Sequence, residues 1–252
     1  MKILLHISFL GTRYCGYQIQ PNGITIQQKL NEATRGLFGF DCDIVGCSRT
    51  DSGVHANEFC AAVSRKGSTS LETTIPPERI PLAIAPYLPE DIAVTRAEAV
   101  ADSFHPRYDV KYKEYVYRIW DHPHRNPFLC DRSFHYPKHL SEEAIERMDR
   151  AAKLFCGKWD FASYMAADSK ITDSVRTVFD AEVSRQGDVV EFRISADGFL
   201  YHMVRILTGT LMAVAEGKLA PEDIPRITAS RDRRQAGITA PAEGLFLNRV
   251  VY

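Results

Sequence analysis

The chain has 252 residues, 45% of them apolar and 25% charged, and its 31 Lys and Arg against 32 Asp and Glu leave a net charge of −1 and an isoelectric point near 6.7. That length suffices for one large domain or two modest ones, and the charge balance excludes a global positive field, so any polyanion must be met by a local patch. No Cys-x-x-Cys pair or histidine spacing completes a zinc site, and no apolar run approaches the roughly 18 residues of a membrane span, so the expectation is a cytoplasmic protein with reduced thiols, no metal and no membrane.

Residues 2–10 alternate, with Ile3, Leu5, Ile7 and Phe9 on one face and Leu4, His6, Ser8 and Leu10 on the other, which predicts a strand stopped by Gly11. Thr25 and Gln28 stand at capping-box spacing, and Ile26, Leu30, Ala33 and Leu37 recur at helical intervals, so a helix is expected from Ile26 to a stop at Gly39. Strands are predicted at 44–47, 59–63, 92–96 and 114–120, with a short helical or irregular insertion at 80–87. Residues 141–155 place Ile145, Met148 and Ala152 along one face, predicting an amphipathic helix ended by Gly157. Segments 178–183 and 189–196 read as a hairpin.

A long helix is expected over 199–216, with Leu200, Val204, Leu207 and Leu211 on one stripe and His202, Arg205 and Gly209 on another, which takes Arg205 off the core face. The order of elements suggests an α+β protein in two similar halves with a cleft where they meet.

Reactive chemistry concentrates in Gly46-Cys47-Ser48-Arg49-Thr50-Asp51-Ser52-Gly53-Val54-His55-Ala56, a polar turn between two apolar runs. Arg49 has two readings, steadying the loop or holding a phosphate; Asp51 is a nucleophile if kept ionised by a nearby cation, for which Arg205 is a candidate, the alternative being a plain salt bridge. Tyr115 and Tyr117 share a strand face, either as core or as a platform for an extruded base. His55 is a general base or a loop brace. Arg231, Arg233 and Arg234 form the tightest basic cluster, opposed by Asp232.

Six ordered segments resemble the bacterial tRNA pseudouridine synthases that modify positions 38, 39 and 40 of the anticodon stem-loop. They are Gly11-Thr12-Arg13-Tyr14-Cys15-Gly16-Tyr17-Gln18; the stretch from Gly46 to Ala56; Phe104-His105-Pro106-Arg107 leading to Lys113-Glu114-Tyr115; Arg176-Thr177; Gly198-Phe199-Leu200-Tyr201-His202-Met203-Val204-Arg205; and Ala240-Pro241-Ala242-Glu243-Gly244-Leu245. The resemblance implies the pseudouridine synthase fold, two α/β halves sharing a largely antiparallel sheet flanked by helices, with a central active-site cleft. It implies that 1–103 carries the catalytic Asp loop and 104–252 the stacking tyrosine and basic partner.

On the same footing Asp51 corresponds to the catalytic aspartate, Arg49 to its loop neighbour, Tyr115 to the tyrosine that stacks on the target base, and Arg205 to the basic partner. A homodimer acting on tRNA without a cofactor follows, and Arg231, Arg233 and Arg234 are expected as remote RNA contacts. The chain departs from the family pattern at Ser52, where Ala is common, and at Leu10, where Asp is frequent. Two rival readings are a non-catalytic RNA-binding protein and a metal-free hydrolase or isomerase of a small phosphorylated metabolite.

Overall fold

The polypeptide divides into two units in the computed structural model, which describes residues 1–169 and 171–252. One unit holds Met1–Lys111 with Leu247–Tyr252, the other Tyr112–Phe246. The first contains β1 (Lys2–Phe9), α1 (Ile26–Phe38), β2 (Cys42–Gly46), β3 (His55–Arg65), α2 (Ile80–Ile84) and β4 (Ile92–Val100). β1 runs antiparallel between β3 and β4, and β2 pairs antiparallel with β3. Ile3, Leu5, Ile7 and Phe9 are buried as the alternation requires.

Leu4 and His6 are buried as well, so β1 is covered on both faces. The same holds along most of β3, whose Ala- and polar-bearing sequence therefore shows little period-two pattern and extends well beyond the predicted 59–63. α1 begins and ends as expected. Thr25 Oγ1 accepts from the Gln28 N–H at 3.3 Å, and Gly39 closes the helix in the left-handed region, its N–H donating to Arg35 O.

The second unit contains β5 (Tyr112–Trp120), β6 (Phe134–His135), α3 (Glu142–Lys153), β7 (Gly157–Asp160), β8 (Val175–Gln186), β9 (Val189–Ala196), α4 (Met203–Ala215) and α5 (Asp223–Ser230). β10 (Leu245–Val251) straddles the division. β5, β9, β8 and β7 form an antiparallel run, with two-residue β6 parallel to β5. Strand, helix, antiparallel strand pair and helix recur in both units, and in each the first strand pairs with the second of that pair, β1 with β3 and β5 with β9.

Four features depart from the sequence reading. The division falls after Lys111 rather than after 103, because Lys2 Nζ donates to Phe104 O at 2.8 Å, the Phe104 ring lies 5.0 Å from that of Tyr252, and the Lys111 N–H donates to Val251 O at 2.8 Å. α4 starts at Met203, not at 199: His202 sits in the left-handed region with φ 60, and a helix cannot run through that conformation. α4 is also buried nearly all round, so Gly209 is interior and Arg205 only half-exposed. α3 ends at Lys153, while Gly157 opens β7; α5 and β10 were not foreseen.

Candidate active site

Loop 47–54 joins β2 to β3 and carries Arg49, exposed, Thr50, buried, and Asp51, half-buried. The Val54 N–H donates to Asp51 O at 3.2 Å, closing a turn whose third residue, Gly53, has φ +79. Residues 11–18 grip this loop. The Tyr17 N–H donates to Thr50 O at 3.2 Å, and Ser52 Oγ and the Gly53 N–H donate to Tyr14 O at 3.2 and 3.4 Å.

Close approach of the two segments depends on glycine. A Cβ at Gly16, whose φ is +78, would stand 2.5 Å from Thr50 O, and one at Gly11 would stand 2.0 Å from Val54 O. The gripping segment is itself anchored, since the Tyr14 hydroxyl donates to Asp91 Oδ1 at 2.6 Å and Arg13 Nη2 meets Asp91 Oδ2 at 2.7 Å. The Tyr17 ring stacks on Phe59 with centroids 4.4 Å apart.

His55 is wholly buried, and its Nδ1 accepts from the Gly11 N–H at 2.9 Å, which puts the ring proton on Nε2 and makes the residue a brace between the two segments. Among the described residues, the Thr50 and Tyr17 hydroxyls are buried without a hydrogen-bond partner. Burial, with Cys47 adding, pushes the Tyr17 phenol above its ordinary value.

In the second unit Tyr115, on β5, is buried with its ring edge-on to Phe199 at 4.9 Å. Tyr117, two residues along the same face, donates its hydroxyl to Pro241 O at 2.7 Å. Burial pushes that phenol up, Glu243 adds to the effect and Arg205 opposes it. Of the two tyrosines, Tyr117 is thus fixed in packing. Arg205 Nε donates to Ala240 O at 2.7 Å, and the Ala240 N–H donates back to Arg205 O at 3.1 Å. Segment 240–245, a motif without a role in the sequence reading, is therefore pinned by α4 and β5.

The three remote arginines lie at and beyond the end of α5, and each has a partner. Arg231 Nε meets Asp160 Oδ2 at 2.9 Å, and Arg234 Nη2 meets Asp232 Oδ2 at 2.9 Å. Arg233 donates to Gly237 O and Thr239 Oγ1 at 2.8 and 3.2 Å, and burial lowers its guanidinium pKa. Arg231 and Arg234 keep most of their side chains in solvent, whereas Arg233 braces the loop leading to Ala240. The positioning residues Tyr14, Gly16 and Tyr17 were present in the motif 11–18, but only the folded chain reveals what they hold.

A family model described as tRNA pseudouridine synthase matches residues 6–109 and 151–252. Proteins named tRNA pseudouridine synthase A are similar along the whole chain. The one from Caldicellulosiruptor saccharolyticus is 39% identical over 251 residues, and the one from Acetivibrio thermocellus 40% over 252, each comparison covering 100% of this chain and 99% of the relative. That from Bacillus pumilus is 39% identical over 257 residues with the same coverage.

Proposed function

The chain belongs to the tRNA pseudouridine synthase family, and on that premise we propose that it isomerises uridine to pseudouridine at one or more of positions 38, 39 and 40 of the tRNA anticodon stem-loop, with Asp51 as the reactive carboxylate. The observation that carries this reading is the loop 47–54, held by three hydrogen bonds from and to residues 11–18, with a fourth from Gly11 to the adjoining His55, so that a half-buried aspartate is fixed on a rigid support. A solvated surface turn has no need of such a grip.

The reaction breaks the bond from C1′ to N1, turns the freed uracil, joins C1′ to C5 and releases a proton from C5. It is redox-neutral and consumes no co-reactant. An ionised Asp51 serves each available route, adding to the base, adding to the sugar or taking a sugar proton. Extruding the base costs a few kcal/mol, less from a loop than from a duplex. Tyr115 offsets this by stacking on the uracil, Arg205 acts as the basic partner of the aspartate, and Arg49 serves the same loop. Arg231 and Arg234 meet RNA phosphates by exchanging their carboxylate partners, and Arg233 supports them. The working form is a cytoplasmic homodimer.

Incubation with tRNA tritiated at C5 of uridine tests the reading. Tritium release that disappears when positions 38, 39 and 40 hold no uridine is the expected result; binding without release would favour an RNA-binding protein. Affinity for tRNA should fall steeply with salt, whereas a shallow slope would favour the small phosphorylated metabolite.

A further inference from the structure

On the face of β1 that carries even-numbered residues, His6 stands directly opposite Cys60 of β3 and Arg96 of β4. Both pairings shift register next to His6, with an irregularity between Ile7 and Phe9 against β3 and another between His6 and Ile7 against β4. Such bulges re-aim side chains. The result gathers three different donors: His6 Nδ1 is 2.9 Å from Glu58 Oε1 and 3.5 Å from Cys60 Sγ, and all three atoms lie within 4.8 Å of one another.

From this geometry we propose a binding site for a divalent transition-metal ion with affinity for nitrogen and sulfur, zinc foremost, liganded by His6 Nδ1, Cys60 Sγ and Glu58. Tetrahedral zinc separates an imidazole nitrogen from a thiolate sulfur by about 3.6 Å and from a carboxylate oxygen by about 3.3 Å. The first spacing is already met. Glu58, with 32% of its side chain exposed, opens the second by rotating.

The other ring nitrogen supplies the independent support. His6 Nε2 lies 2.9 Å from Glu98 Oε1, the carboxylate-on-imidazole arrangement that fixes the tautomer needed for Nδ1 to bind a metal. Arg96 Nη2 competes, at 3.3 Å from Nδ1, 2.8 Å from Nε2 and 3.5 Å from Glu98 Oε1; its side chain is 60% exposed, so an arriving metal ion displaces the guanidinium toward solvent. Bound metal ties β1 to β3 at a site that shares no residue with the Asp51 loop.

The test is a titration of chelator-treated full-length protein with Co²⁺, followed by Zn²⁺. A thiolate-to-cobalt charge-transfer band saturating at one ion per chain and removed by Zn²⁺ is expected. Cys60→Ser should abolish the band, and Glu98→Gln should weaken affinity by roughly 10- to 100-fold. Should Cys60→Ser not fold, Glu58→Gln, at an accessible position, should weaken binding by about tenfold or more. No sulfur band at saturating Co²⁺, a band that survives Cys60→Ser, or unchanged affinity in Glu98→Gln or Glu58→Gln overturns the proposal.

Discussion

Gly16 and Gly39 share a left-handed backbone but differ in what surrounds them, and that difference separates folding from function. Alanine at either position costs about 1–2 kcal/mol in the left-handed region. At Gly39 nothing lies within 4 Å of the added carbon, whereas at Gly16 it strikes Thr50 O. Both variants should lose stability in urea denaturation, but only Gly16→Ala should lose turnover, by about a hundredfold if Asp51 is displaced by an ångström. Equal turnover in the two would mean that the grip on the loop is irrelevant.

Tyr115 makes a second contrast. Tyr115→Phe should hold tritium release within a few fold, while Tyr115→Ala removes a stacking contribution of roughly 1–3 kcal/mol and should slow release by about 10- to 100-fold. Equal loss in both would assign the role to the hydroxyl. The Ser52 hydroxyl adds a hydrogen bond to Tyr14 O and strengthens the grip. At this scale the peptide around Arg49 and Asp51 reads equally as an ordinary turn, and only the resemblance singles out its carboxylate; the partners of Tyr14 and His55, 44 residues away for His55, were not legible at all.

Elements were readable where a local signal sets their ends. The Thr25 cap accepts from Gln28 as its spacing predicts. β3 was misjudged in extent because it is buried on nearly all sides, which erases the periodicity that reveals an amphipathic element, and α4 because its start is set by the left-handed His202, which hydrophobic periodicity does not mark. One tie between elements has a measurable consequence. Asp121, at the end of β5, is buried and receives both Arg185 Nη1 and Nη2 from β8 at 3.0 and 2.9 Å, with the Leu140 N–H donating to the same carboxylate. Asp121→Ala leaves the Arg185 guanidinium with Glu142 and the Leu140 carbonyl as partners but strips the buried Leu140 N–H of its acceptor, and should cost about 1–3 kcal/mol, read as a lower urea midpoint with the m-value unchanged.

For the molecule as a whole, buried phenols set its alkaline limit. Burial pushes Tyr164 from 10.0 up to about 12, and Tyr14, Tyr17, Tyr117 and Tyr252 move in the same direction chiefly for the same reason. Above about pH 10 the unfolded chain releases these protons while the folded chain retains them, so this stabilisation is complete below pH 10 and is lost as pH rises toward 12. The urea midpoint should therefore fall between about pH 10 and 12; a flat midpoint there would contradict the burial of these hydroxyls.

The two-unit organisation was legible from the order of elements, but the return of the last six residues to the first unit was not. The His6, Glu58 and Cys60 grouping was equally hidden, since its members meet through strand register and no sequence spacing marks them. The central claim is that the Asp51 carboxylate performs the chemistry and does not merely bind RNA. Asp51→Asn, assayed with C5-tritiated tRNA alongside tRNA affinity, tests it most directly. Tritium release should vanish while the dissociation constant stays within about threefold, because one loop carboxylate adds little to phosphate recognition; release at the wild-type rate would contradict the account.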